Sequence, residues 1–272
     1  MLNLTPFKGC FMKKININEL YKMKAQGQKI VMITAYDALF ARLFDESADI
    51  VLVGDSLNMS FGGKDSTIDI SVDEMIYHAK AVKRGLKRAY MVVDMPFASC
   101  ATPELAVQNC AKVCQQTLCD AIKIEGGAEL APTIKLLKSA GIAVVAHIGL
   151  KPQHSVLEGG FVVCRDESTA LSDAKVLEDA GAAMLLIEGT LSHIAAKIAS
   201  SANIPVISIG AGASTDGQVL VWSDMLGFFT DFKPKFVRRY MDGAQLVKQA
   251  VANYADDVHS GKFPTKEHEY EL

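Results

Sequence analysis

Eight short, β-rich apolar runs, each followed by a helix-like stretch, constrain this chain more than any other feature. They are KIVMITA (29–35), IVLVG (50–54), AYMVVD (89–94), AIKIE (121–125), IAVVAH (142–147), AAMLLIE (182–188), IPVISIG (204–210) and VLVWSD (219–224). The stretches between them carry helix signals. Ser71 reads as an N-cap with Glu74 three residues later, Thr102-Pro103-Glu104 places proline at a first helical position, and Gly181 closes the pattern 171–180. Strands that alternate with helices make a parallel sheet. At 272 residues the closed (β/α)8 TIM barrel is favoured over an open doubly wound sheet. VLVWSD is the weakest of the eight, because it also fits a helix begun near Asp216.

Residues 14–27 pattern as an extra N-terminal helix ahead of the barrel. No linker, low-complexity segment or long charge run divides the chain, so 1–272 reads as a single barrel domain. Residues 1–13 read as an N-terminal extension, with Met12 as an alternative start, and 260–272 as a loosely held tail. A formal net charge of −3 gives no argument for nucleic-acid or bulk membrane binding. No apolar stretch is long enough to span a bilayer, and the N-terminus lacks the apolar core of a signal peptide. Four of the six cysteines, Cys100, Cys110, Cys114 and Cys119, crowd together without a CxxC pair or a nearby histidine. They read as small core residues in a reducing, cytoplasmic compartment.

The residues at or just past each strand end carry the functional signal. In order they are Asp37, Asp55-Ser56, Asp94, Glu125, His147, Glu188, Gly210-Ala211-Gly212 and Asp224. In this fold the C-terminal strand ends build the active site. Carboxylates that converge on one mouth repel one another and raise each other's pKa, which a divalent cation relieves. An oxygen-rich set without a matching Cys/His group suits Mg2+ better than Zn2+. The fourth run sharpens the picture. Side chains alternate along a strand, so Lys123 and Glu125 share the inward face while Ile122 and Ile124 face the helices.

Each residue also has a plainer reading. Asp37 is better placed as a helix cap than as a catalyst. On spacing alone His147 is as compatible with the core as with a site. His78 and His193 fall within helix patterns and read as structural. Gly210-Ala211-Gly212 lacks the third glycine of a dinucleotide loop and reads as a tight turn. Tyr36, Met59 and Phe97 read as packing residues.

In order along the chain stand TAYD (34–37), VGDSL-x-M (53–59), GKDST (63–67), DMPF (94–97), TPE (102–104) and KIEGG (123–127). HIGL-x-PQ (147–153), IPVI-x-IGAG (204–212), DGQ-x-LV (216–221) and PKFV (234–237) follow. With this set the chain resembles the ketopantoate hydroxymethyltransferase family from about Ile15 to about Pro264. The resemblance implies a (β/α)8 barrel that uses Mg2+ and 5,10-methylenetetrahydrofolate. The implied reaction adds a hydroxymethyl group to 3-methyl-2-oxobutanoate through a Mg-stabilised enolate and yields 2-dehydropantoate, on the route to pantothenate and coenzyme A. Carried over by position, it implies Asp55, Asp94 and Glu125 around the metal. Asp55, Ser56, Asp94, Lys123 and His147 fall at the oxoacid, and Glu188 is the proton acceptor. It further implies a homodecamer, a pentamer of dimers.

The chain departs from the family pattern at Asn58, at Lys64, over 161–167 and at Gly189-Thr190. None of these is an implied metal ligand. They bear on loop closure and folate contacts. Three rival readings remain: a barrel of the phosphoenolpyruvate mutase and isocitrate lyase group, whose reactive cysteine loop is not found here, a phosphate-binding barrel, and a catalytically dead scaffold.

Overall fold

A computed structural model describes residues 13–230 and 233–270. Apart from Lys13, the expected N-terminal extension lies outside the described residues, as do the last two positions of the expected tail. The described chain forms two compact units, one reaching to Leu220 and one beginning at Val221.

In the first unit, helix α1 (Ile17–Ala25) is followed by β1 (Ile30–Thr34), α2 (Ala38–Phe44), β2 (Ile50–Val53), α3 (Leu57–Ser60), α4 (Val72–Gly85) and β3 (Tyr90–Asp94). Then come α5 (Pro103–Thr117), β4 (Ala121–Glu125), α6 (Ala131–Ser139), β5 (Val144–Gly149), α7 (Ser155–Glu158) and α8 (Glu167–Ala180). The unit ends with β6 (Met184–Glu188), α9 (Ser192–Ser201), β7 (Val206–Ile209) and β8 (Gly217–Leu220). The eight strands are parallel and close in sequence order, with β8 returning to β1 from Ile30↔Gly217 to Ile33↔Leu220. The expected (β/α)8 barrel with an extra N-terminal helix is the observed fold.

Local signals placed the helices. Ser71 and Glu74 form a reciprocal capping box on α4, Thr102 caps α5, and Gly181 ends α8 in the left-handed region at φ 104°. Asn16 caps α1 by accepting from the N–H groups of Asn18 and Glu19. The eighth strand differs from the expectation. It ends at Leu220, and Asp224 lies in the short helix α10 (Trp222–Met225), so no carboxylate stands at that strand end. Nor does a helix begin near Asp216. Its carboxylate accepts from Val206 N–H at 2.8 Å and pairs with Lys24 at 2.7 Å, which clamps the strand start. Gly217 is needed for the pairing, since a Cβ there would stand 2.4 Å from the Ile30 carbonyl oxygen.

The barrel interior is packed. Ile30, Met32, Ile50, Leu52, Tyr90, Val92, Ala121, Val145, Met184, Leu186, Ile207 and Val219 form one buried cluster. Leu20 and Met23 of α1 join it. Tyr21 donates to the Ala183 carbonyl and Lys14 to that of Ala89, so the N-terminal segment closes the end where the strands begin. The other end, where they finish, is left for chemistry.

In the second unit α10 is followed by α11 (Gly243–His259). The two are tied by backbone bonds from Gly243 N–H to Leu226 and from Ala244 N–H to Gly227. Among the described residues no helix is long and apolar enough to cross a membrane.

Candidate active site

Strand parity carries through the fold. Ala121 lies in the interior cluster, and Lys123 and Glu125 continue the same face towards the C-terminal mouth, both buried. Neighbouring strands bring further polar ends alongside. Asp94 is in register with Lys123, and His147 with Glu125. Glu188 is in register with Gly149, just beyond His147 on β5. Asp55 and Ser56 follow β2 directly, where Gly54 lets the backbone pass close to the site. A Cβ there would stand 2.9 Å from Ser56 Oγ and 3.5 Å from Asp94 Oδ2.

Lys123 stands at the centre. Its Nζ lies 3.2 Å from Asp94 Oδ1, 3.5 Å from Glu125 Oε1 and 3.2 Å from His147 Nδ1. Burial alone would lower its pKa, but Asp94, Glu125 and Asp55 outweigh that and hold the ammonium charged. A second chain of contacts runs across the mouth, with His147 Nδ1 at 3.3 Å from Glu125 Oε1 and Nε2 at 3.5 Å from Glu188 Oε2.

The carboxylates divide by environment. Burial, followed by the charges of Asp94 and Glu125, pushes Asp55 well above the usual carboxylate range. Burial also raises Asp94, although the Lys123 ammonium opposes it. For Glu125 burial is again the largest influence, yet Lys123 and His147 overcome it and bring the pKa down to about 2. Burial and the Lys123 charge lower the pKa of His147. The imidazole is therefore neutral, and the ammonium is the charge that holds Glu125 ionised. Glu188 keeps 20 % of its side chain exposed. It is nevertheless raised to about 8, by desolvation first and by Glu125 next.

Two buried polar atoms here are under-satisfied: His147 Nε2 has no hydrogen-bond partner, and Asp94 Oδ1 has only the Lys123 ammonium at 3.2 Å. Buried polar groups are normally satisfied, so such atoms mark places where a ligand completes the set. Counting Glu188, four carboxylates face one ammonium. The donors are all oxygen, and they fit a hard cation at the Asp55–Asp94 side, where one or two carboxylates suffice for Mg2+. As the side chains stand, no three His, Cys, Asp or Glu among the described residues converge on one ion position. Lys123 fills the gap between Asp94 and Glu125.

The structure thus gathers Asp55, Asp94, Lys123, Glu125, His147 and Glu188, with Ser56 at the edge. Tyr36, read from sequence as packing, is fully buried and does more, because its hydroxyl lies 3.0 Å from Ser56 Oγ and orients it. Gln153 was not singled out. It is buried and donates to Asp55 Oδ2 at 2.8 Å. The only sequence signal was its place in the run 147–153. Asp37 caps α2 by accepting from Leu39 and Phe40 N–H, as expected. His78 holds the Tyr36 carbonyl at 2.7 Å, and His193 pairs with Glu167 at 3.5 Å, so both are structural. Gly210 and Gly212 take positive φ of 65° and 88° in a tight turn.

A family model described as ketopantoate hydroxymethyltransferase matches residues 14–266. The chain belongs to the ketopantoate hydroxymethyltransferase family. It is 58% identical over 263 residues, 95% of this chain and 99% of the relative, to a protein of Campylobacter fetus subsp. fetus (strain 82-40) named 3-methyl-2-oxobutanoate hydroxymethyltransferase. A Wolinella succinogenes protein of the same name is 52% identical, covering 95% of this chain and all of its own. In Helicobacter pylori (strain Shi470) the figure is 49%, covering 95% and 97%. Among solved structures, phosphoenolpyruvate phosphomutase from Streptomyces platensis subsp. rosaceus superposes with a TM-score of 0.62 at 15% identity, covering 95% of this chain and 93% of that one. Phosphonopyruvate hydrolase, solved in complex with oxalate and Mg++, superposes with a TM-score of 0.61 at 12% identity, covering 95% and 93%. At such identities the family shares the barrel with these enzymes, and nothing more follows.

Proposed function

We propose that the chain transfers a hydroxymethyl group from 5,10-methylenetetrahydrofolate to 3-methyl-2-oxobutanoate, giving 2-dehydropantoate in pantothenate and coenzyme A biosynthesis. The observation that carries the reading is the buried mouth itself. It combines a carboxylate set short of positive charge, one ammonium, and a separate carboxyl raised to about 8, in a chain 58% identical to a protein named for this activity.

The residues divide the work by position. Asp55 and Asp94 would hold Mg2+, with Glu125 across Lys123 from them, and the ion when bound would draw the developing negative charge onto the oxoacid's oxygens. The Lys123 ammonium meets the anionic end of the oxoacid as a point charge, and Ser56, oriented by Tyr36, offers a hydroxyl beside it. Glu188 takes the proton from C3. It is raised by burial and stands apart from the carboxylates grouped around Lys123, so it keeps the basicity that a hydrogen bonded to carbon demands. His147 separates the two groups. Its neutral ring turns Nδ1 towards Glu125 and Nε2 towards Glu188, and with a single N–H it can donate to only one of the two carboxylates at a time. The carbanion left at C3 adds to the methylene carbon of the folate as one of that carbon's two bonds to folate nitrogen breaks. Water then replaces the second nitrogen, supplying the hydroxyl oxygen and releasing tetrahydrofolate, whose two nitrogens regain the proton taken from C3 and one from water.

A coupled assay with 3-methyl-2-oxobutanoate and 5,10-methylenetetrahydrofolate, run with and without Mg2+, tests the reading. Product is expected only in the complete mixture. No product in that mixture would sink the assignment. Turnover of the oxoacid that ignores folate would favour instead the lyase chemistry of the group whose barrel it shares.

A further inference from the structure

We propose that Gln153 is a positioning residue that sets the site carboxylates Asp55 and Glu125 from outside the barrel strands. This rests on the oxoacid-transferase reading of the site. Gln153 sits in a short 3-10 turn (Pro152–His154) after β5, opened by Pro152 and 8% exposed. The turn supplies three donors. The amide Nε2 donates to Asp55 Oδ2 at 2.8 Å and to the Met95 carbonyl at 3.0 Å, and the main-chain N–H donates to Glu125 Oε2 at 3.1 Å.

The Met95 carbonyl can only accept, which settles the orientation of the amide, and the second hydrogen goes to Asp55. One residue therefore links the end of β2, the segment after β3 and the end of β4. Lys123 and His147 bridge neighbouring strands, whereas Gln153 reaches these carboxylates from a turn outside the strands. The charges explain why the residue is neutral. A second ammonium in this place would reduce the negative charge of the mouth and compete with a cation. Amide dipoles fix one oxygen of Asp55 and one of Glu125 and leave the net negative charge in place. Groups that hold metal-binding or substrate-binding carboxylates by hydrogen bonds commonly matter about 10- to 100-fold when removed.

The test compares Gln153→Met, which keeps length and bulk but has no donors, with Gln153→Asn, whose donors fall one methylene short. Steady-state kinetics with the oxoacid are read beside Mn2+ affinity, measured by electron paramagnetic resonance without substrates, and beside thermal melting. In Gln153→Met the expected result is a KM for the oxoacid raised about tenfold or more and Mn2+ binding weakened to a similar degree, with kcat falling less. Gln153→Asn is expected to move in the same direction, because it cannot span both acceptors. KM and Mn2+ affinity within about twofold of wild type in both variants would overturn the proposal. So would losses confined to melting temperature, which would leave Gln153 a packing residue. Wild-type protein that turns over no oxoacid would end the functional reading, whereas the Mn2+ comparison would still decide the role of Gln153. Wild-type protein that binds no Mn2+ would count against both.

Discussion

The two ends of the barrel use the same residue types to opposite effect. At the end where strands begin, every buried carboxylate has its partners. Asp45 accepts from Lys87, Arg88 and Ala89 N–H. Asp49 accepts from Val31 N–H and pairs with Arg88, while Asp120 accepts from Met91 N–H and pairs with Lys14. At the end where strands finish, Asp55, Asp94, Glu125 and Glu188 face one ammonium, and His147 Nε2 stays unsatisfied. Acceptors saturated by backbone amides hold a fold together. Acceptors crowded beyond their donors hold a ligand, at a cost in stability. The contrast matches the division of labour of this architecture, stability at one face and chemistry at the other.

The largest expected effect breaks the chemical end alone. Glu188→Gln should lower turnover by about 10²- to 10⁴-fold while oxoacid binding survives, because Gln keeps the shape and loses the base. Hydrogen exchange at C3 of the oxoacid without folate reads this step directly, and undiminished exchange would remove Glu188 as the base.

Next in size is a break at the opposite end. Asp45→Ala orphans the buried N–H of Ala89 and the part-buried ones of Lys87 and Arg88 and should cost about 2–3 kcal/mol of stability with kcat of the folded protein unchanged. Denaturant unfolding beside kinetics would show it, and a loss of kcat without a loss of stability would erase the contrast.

A smaller effect has the reverse sign. Asp55→Asn should abolish turnover yet stabilise metal-free protein by about 1 kcal/mol. Asp55 has a folded pKa far above its unfolded one, so the stability that its protonation supports is lost as pH rises through the folded value. The variant's advantage should therefore grow with pH in the presence of a chelator. A lower melting temperature for Asp55→Asn across that range would contradict the crowded-carboxylate account.

The last expectation concerns the shape of a curve. As the proposed base Glu188 would act ionised, and it is raised to about 8, so C3 exchange should fall as pH drops below that limb and level off above it. A cation at the Asp55–Asp94 side moves the limb down. A limb lying well above about 8 would leave the base unassigned.

Legibility from sequence followed the range of the interaction. Lys123 and Glu125 were placed on one face by parity, and Asp55, Asp94, His147 and Glu188 by their position at strand ends. Both signals are local. Asp224 misled because VLVWSD is apolar enough for a strand, while pairing with β1 stops at Leu220. Tyr36 gave no hint beyond its bulk, since its role depends on a serine twenty residues away in sequence. Gln153 lies in a turn with no periodicity, and its partner Asp55 is 98 positions distant.

By itself, then, the sequence determined the alternation, the barrel, the face on which each strand residue lies and the family to which the chain belongs. These depend on backbone geometry with periods of two and 3.6 residues and on motifs read in order. Only the tertiary structure decided which carboxylate is ionised, which is raised, and which neutral residue holds them in place. A pKa and a hydrogen bond depend on burial and on distances of a few ångströms, and those exist only once β8 has closed on β1.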